Sequence, residues 1–280
     1  MRGAFSANTT DSSTGCEGIT APVYPPGDPG ATSAYTAASG TSREPRGRTL
    51  IVWLASYPRS GSYYLRVLLR HGFGLSCPPG YTVADHVPEQ VRQAPRLALW
   101  DPDTPTTTAA LRASPRSFYV KTHDLPTDDA PALCLVRDGR DAVVSFAHYL
   151  IETRDPSAAG RSFEALLGDL VGHGSAFGGW SRNVEAWLDR DAPTAWLRLE
   201  DLVAAPDPLA LLSDTLKRLG VCEAKPLSSE LPDFATLKRS QPRNFRKGEI
   251  RGFERAMPPA LADRFWEHHG HALTRLGYRR

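Results

Sequence analysis

Hydrophobic and polar positions follow no pattern up to residue 48, and then fall into two alternating ones. Before that point only Phe5, Ile19 and Val23 come from the Leu/Ile/Val/Phe set. Residues 50–55 (LIVWLA) then form a continuous apolar run, the pattern of a strand buried on both faces. Turn residues 56–61 (SYPRSG) follow, after which Tyr64, Leu65, Val67, Leu68 and Leu69 recur at helical spacing, which predicts a strand–loop–helix unit. Residues 117–121 and 132–136 read as two further strands, the second running through Arg137-Asp138-Gly139-Arg140 into a helix over 141–150. Residues 194–199 are a fourth strand, ahead of a helix over 208–219 that stops at Gly220.

Strands alternating with helices predict an α/β fold, a mostly parallel sheet flanked by helices. Ligands of such sheets bind beyond the carboxyl ends of the strands. Residues 73–116 are rich in Pro and Thr with little periodicity. A pocket-shaping loop region and plain irregular surface fit them equally well.

Composition divides the chain at the same place. Residues 1–48 hold seven Gly, five Pro and thirteen Ser or Thr, too little apolar surface to offset the entropy of ordering them. A disordered tail is expected over 1–48 and one domain over 49–280. Across all 280 residues, 33 Lys+Arg against 31 Asp+Glu give a net charge of +2, which speaks against nucleic acid as the main partner. The four cysteines (Cys16, Cys77, Cys134, Cys222) are far apart, which excludes the common zinc spacings and a dense disulfide framework. No apolar run reaches the roughly 18 residues of a membrane helix, and residues 1–48 lack the basic-then-apolar layout expected of a secretory signal. The expectation is a cytoplasmic protein with no membrane partner.

Three loops carry candidate chemistry. The first, residues 57–64 (YPRSGSYY), joins a buried strand to a helix start, where backbone N–H groups and the helix dipole favour an anion, typically phosphate. Gly61 permits close backbone approach, Ser60 and Ser62 add donors, and Arg59 adds a full charge. The loop lacks the lysine and magnesium-binding hydroxyl of a Walker A sequence, so it suits a phosphate-bearing donor handled without a metal. The second is Lys121-Thr122-His123 at a strand end, where an imidazole could accept a hydroxyl proton beside a stabilising cation. The third runs from Arg137 to Ser145, two residues able to grip one phosphate if the loop folds back; its plainer reading is an exposed arginine and a helix capped by Asp138.

Together these loops resemble one family, the sulfotransferases that use 3′-phosphoadenosine-5′-phosphosulfate (PAPS). The residues that carry the resemblance are Tyr57-Pro58-Arg59-Ser60-Gly61, Lys121-Thr122-His123, Arg137 with Ser145 eight positions on, and Phe245-Arg246-Lys247-Gly248, in the family's order. Leu199-Glu200-Asp201-Leu202 is similar to the family's Tyr-Glu-Asp-Leu. The resemblance implies a P-loop-like nucleotide-binding fold. It implies PAPS as donor, PAP (adenosine 3′,5′-bisphosphate) as product, and a small-molecule hydroxyl as acceptor, a bacterial secondary metabolite among the candidates. Residues Arg59, Ser60, Gly61, Ser62, Tyr63 and Tyr64 would form the 5′-phosphosulfate loop. Arg137 and Ser145 would clamp the 3′-phosphate with Arg246, Lys247 and Gly248, and Phe234 would cover the adenine opposite Tyr64. His123 would be the general base, with Lys121 and Arg59 stabilising charge and no metal taking part.

Residues 238–255 agree, with seven basic residues against two acidic, as a lid over a doubly charged nucleotide requires; Gly248 and Gly252 would let it move. The sequence departs from the family pattern at Leu199 (for tyrosine), at Arg59 (for lysine), at the missing Thr-Thr pair and at Gly139 (for proline), the last expected to loosen the loop after Arg137. His268, His269 and His271 are not expected to bind metal, His148 reads as structural, and Trp180 with Trp187 reads as a buried helix face. An ATP-dependent P-loop kinase and a catalytically inactive nucleotide-binding module are the rival readings.

Overall fold

A computed structural model describes residues 51–80, 99–101, 103–105, 107–172, 175, 177–221, 226–227, 231–245 and 248–280. The expected tail over 1–48, Cys16, Cys222, Arg246 and Lys247 lie outside the described residues, as do residues 81–98 of the Pro/Thr-rich stretch.

Four parallel strands form the sheet: β1 (Ile51–Ala55), β2 (Phe118–Thr122), β3 (Ala132–Val136) and β4 (Thr194–Arg198), in the order β2-β1-β3-β4. β1 pairs with β2 from Ile51↔Phe118 to Ala55↔Thr122, and with β3 from Trp53↔Ala132 to Ala55↔Cys134. The expected strands are therefore present and parallel. The apolar runs are continuous because both faces are covered. Val52, Leu54, Leu133, Leu135 and Leu197 pack into one cluster, and Ile51, Trp53, Ala55, Phe118, Val120 and Cys134 into another.

The helices are α1 (Ser62–Val67), which continues as a wider π turn over Leu68–Gly72, α2 (Thr108–Ala113), α3 (Gly139–Glu152), α4 (Phe163–Val171) and α5 (Trp180–Leu188). After β4 come α6 (Leu199–Ala204), α7 (Pro208–Arg218), α8 (Phe234–Ser240), α9 (Phe253–Ala256) and α10 (Pro259–Arg275). Local chemistry sets their ends: the side chains of Thr107, Asp138, Ser162, Asp207 and Asp233 each accept a first-turn amide. Helix α7 ends just before Gly220, whose φ is +70°. Trp180 and Trp187 are buried on α5 as expected. Helix α2 was not foreseen; its short sequence buries only Leu111 and leaves no periodic trace.

Gly139 does the opposite of loosening its loop. It opens α3, and a Cβ there would stand 2.5 Å from both Phe265 and Trp180, so glycine allows α3 to seat tightly on α5 and α10. Gly139→Ala is expected to lower the melting temperature, because two buried rings would have to shift. No helix among the described residues is long and apolar enough to cross a membrane.

Candidate functional site

The chain leaves β1 for β2 on one side and returns to β3 on the other, so the sheet has a switch point at the carboxyl end of β1. The loops after β1, β2 and β3 meet there and line a cleft of about 1230 Å³. Arg59, Gly61, Ser62, Tyr63 and Tyr64 line it from the first loop, Lys121 and His123 from the second, and Arg137 and Ser145 from the third. Phe234 and Gly248 close it from the C-terminal part of the chain. Ser60 is 1% exposed and is not one of the lining residues.

The first loop turns through two left-handed residues, Arg59 (φ +67°) and Gly61 (φ +88°). The left-handed backbone at Gly61 favours glycine, and a Cβ there would also stand 2.6 Å from the tip of the Leu199 side chain, which would have to shift. The unusual backbone at Arg59 aims its guanidinium across the cleft. Nε donates to Ser145 Oγ (3.3 Å), Nη2 to the Arg243 carbonyl (2.6 Å) and Nη1 to Asn244 Oδ1 (3.4 Å), with the Tyr149 ring 4.8 Å below. Arg59 thus sits with Ser145, on the side expected for the 3′-phosphate clamp as well as on the 5′ loop that carries it.

Arg137 joins three segments. It donates to the Arg59 carbonyl (3.1 Å) and the Glu249 carbonyl (3.0 Å), and lies 3.6 Å from Asp141. Asp141 in turn accepts the backbone amides of Arg251 and Phe253, both at 2.8 Å, so the segment after Gly248 is anchored to α3. Burial raises the Asp141 pKa, opposed by the Arg137 charge. Of the two glycines expected to loosen this segment, Gly248 has φ +67° and lies under the Phe234 ring, 2.7 Å from where its Cβ would be, whereas Gly252 has an ordinary helical backbone. Phe234, 45% exposed, meets Phe245 edge-on, and Phe245 meets Tyr63 likewise, so rings connect the C-terminal segment to the first loop.

Lys121 and His123 line the same cleft. His123 Nδ1 lies 2.7 Å from the Ser56 carbonyl, which can only accept, so Nδ1 carries the proton and Nε2 keeps its lone pair. Burial, then the Lys121 charge, push the His123 pKa down to about 3, against the upward pull of the Ser56 bond. Burial, then Arg66, push Lys121 down to about 7, while Asp124 pulls it up. Arg66, itself 8% exposed, grips the Cys77 carbonyl through Nε (2.9 Å) and Nη2 (2.7 Å) and lies over Trp100.

Several groups here gave no sequence signal. Asn183 holds the His123 carbonyl (2.8 Å) and Trp187 the Asp124 carbonyl (2.9 Å), both from α5. Glu200 accepts the Asp138 amide (3.0 Å) and the Tyr278 hydroxyl (2.8 Å), and burial raises its pKa. Its place inside the quoted Leu199–Leu202 segment was the one available hint. Leu99 and Trp100 line the cleft, so the described part of the Pro/Thr-rich stretch shapes the pocket. His148 is a cleft wall stacked on Phe163. His269 is buried against Ser181 and the Val171 carbonyl, whereas His271 reaches Glu185 on the surface; the two do not face a common point.

The cleft therefore brings together cations able to face a multiply charged anion, aromatic rings, and a neutral imidazole beside a lysine. A family model described as a sulfotransferase domain matches residues 51–207. No curated protein matches the chain in sequence. Among solved structures, a mouse sulfotransferase, SULT7A1, complexed with PAP is 17% identical, covering 82% of this chain and 85% of its own, with a TM-score of 0.55. A retinol dehydratase in a complex with retinol and PAP is 17% identical over 81% and 82% of the two chains, with a TM-score of 0.50. At these identities the likeness is one of fold.

Proposed function

The chain belongs to the sulfotransferase domain family, and on that premise we propose that it moves the sulfuryl group of PAPS to the hydroxyl of a small-molecule acceptor, in the cytoplasm and without a metal. The acceptor oxygen bonds to sulfur as the bond from sulfur to the bridging phosphate oxygen breaks, giving a sulfate ester, PAP and a proton. The observation that carries this reading is that Arg59 and Arg137 share one cleft with Lys121 and His123.

In this reading Arg59, Arg137 and Ser145 hold the phosphates together with Gly248 and the neighbouring Arg246 and Lys247. The Gly61–Tyr64 turn cradles the 5′ end, and Tyr64 and Phe234 receive the adenine. Two arginines on one cleft and an exposed ring over Gly248 fit a nucleotide charged at both ends. His123 takes the acceptor proton on Nε2, and Lys121 stabilises charge on the sulfuryl oxygens. An imidazole with a pKa near 3 is always in its base form but binds a proton weakly. Negative charge brought into a cleft lined by Lys121, Arg59 and Arg66 offsets the cationic field and raises its basicity when it is needed. The acceptor itself is a hydroxyl compound that the Pro79, Leu99, Trp100 and Phe177 walls admit, a bacterial secondary metabolite among the candidates.

A screen of small hydroxyl compounds with PAPS, read as a mass gain of about 80 Da, tests transfer directly. No gain with any phenol, sugar or lipid hydroxyl, from protein shown separately to bind PAP, would overturn it in favour of a non-catalytic nucleotide-binding module. Arg137→Ala is expected to weaken PAP binding strongly in calorimetry, because it removes a charge-assisted contact and unties the first loop from Glu249.

The pH profile follows from the two shifted groups. For the free enzyme, kcat/KM should be level below neutrality, since His123 stays neutral, and should fall above about pH 7 as Lys121 loses its proton. Arg66→Gln removes a charge that depresses Lys121, so the falling limb should move to higher pH. A limb that does not move would detach it from Lys121.

A further inference from the structure

We propose that Asn183 is a positioning residue, whose side-chain amide ties the backbone of the base, His123, to that of the aromatic cleft wall, Phe177. Asn183 lies on α5 and is 1% exposed. Its Nδ2 donates to the His123 carbonyl at 2.8 Å and to the Phe177 carbonyl at 3.2 Å. Both partners are acceptors, so the amide has one possible orientation: turned over, its oxygen would face two carbonyl oxygens. The Oδ1 that results is buried with no hydrogen-bond partner.

Packing alone does not select such a residue. A buried helix position with an unsatisfied oxygen is served better by an apolar side chain of the same size. What the amide supplies is a fixed distance between two backbone positions outside the strands and helices, His123 and Phe177. His123 follows the last residue of β2, and Phe177 lies in the stretch between α4 and α5. Their rings meet edge-on, with centroids 5.6 Å apart at 68°. Two anchors secure the platform that holds them. Trp180 is fully buried against Phe265, and Trp187, four residues after Asn183, donates to the carbonyl of Asp124 at 2.9 Å. The imidazole is thus fixed from three directions: Nδ1 on the Ser56 carbonyl, its backbone on Asn183, and its ring in edge contact with Phe177. Losing the Asn183 bonds lets residue 123 move relative to Ser56, which frees the Nδ1 proton and exposes the ring to water and to the acceptor in several orientations.

The catalytic value of this arrangement rests on His123 being the base; the bonds themselves do not. The test uses full-length protein labelled with ¹⁵N-histidine, the resonance of His123 among the eight histidines being assigned by its loss in His123→Gln. Wild type should show the proton on Nδ1 alone and no titration between about pH 5 and 8. Asn183→Leu, which keeps the branched skeleton and removes both donors, should give mixed tautomers and a pKa rising from about 3 toward 6.5, with PAP affinity nearly unchanged and turnover down by about ten- to a hundredfold. Asn183→Ala serves the same comparison if the leucine variant does not fold. A single unshifted tautomer in a folded variant would overturn the proposal, leaving Asn183 as packing. If the imidazole changes while His123→Ala keeps its turnover, the positioning stands and the base assignment falls. If the imidazole is unchanged while His123→Ala is inactive, the base stands and the positioning falls.

Discussion

His123→Ala is expected to lose turnover by about 10²–10⁴-fold, the usual contribution of one placed acid–base group, while binding PAP nearly as wild type does. The split follows from where the residue stands. His123 is tied to Ser56 and Asn183, whereas Arg59, Arg137 and Ser145 are held to one another and to Glu249 by bonds that do not involve the imidazole. Removing the imidazole takes away the proton acceptor without touching the clamp. Single-turnover kinetics alongside PAP calorimetry measure both halves. Turnover close to wild type would mean that another group, or water, takes the proton. A large loss of PAP affinity would mean that the ring holds the nucleotide instead.

Lys121→Met should reduce turnover by about 10²–10³-fold and, unlike most losses of function, should stabilise the fold. Lys121 is 5% exposed, and its proton is held less tightly in the folded chain than in the unfolded one, at about 7 against 10.5. Wild-type stability therefore rises as pH climbs from about 7 toward 10.5 and is lowest below 7, where a buried charge must be accommodated. Methionine keeps the aliphatic packing and carries no charge, so its advantage should be largest near pH 6 and shrink above 7. Thermal melts across that range read it directly. A variant less stable than wild type at pH 6 would show that the ammonium is a structural asset. It would then not be a charge kept for catalysis at the expense of stability.

How much of this was legible beforehand depends on the range of the interaction concerned. The strands and their order of chemistry were legible because burial on both faces writes itself as uninterrupted apolar runs, and 132–136 matched residue for residue. The helix end at Gly220 was legible because capping is local, whereas α3 opens at Gly139, two residues before its expected start at Asp141. The meeting of Arg59, His123, Arg137 and Gly248 in one cleft followed from strand ends and motif order, and the cleft contains all of them. What could not be read is whatever depends on a long-range neighbour. Gly139 looked like a loosened proline because nothing nearby announces Phe265 and Trp180, which fill the space a side chain would need. Arg59 read as part of the 5′-phosphosulfate loop and as a cation for the sulfuryl group; nothing nearby in sequence announces that its guanidinium also meets Ser145 and Asn244, 86 and 185 positions away. Asn183 sat unnoticed on a helix that read only as a tryptophan face, since a side chain that holds another residue's carbonyl leaves no periodic signal.

Soaking or co-crystallising the protein with PAP tests the central claim most directly, because it asks whether the converging loops hold one nucleotide. The account predicts the 3′-phosphate within hydrogen-bond distance of Arg137 and Ser145, the 5′-phosphate on the Gly61–Tyr64 turn, and the adenine beside Phe234, with His123 Nε2 facing the vacated sulfuryl position. PAP bound elsewhere, or bound here with its 5′ end turned away from His123, would contradict it.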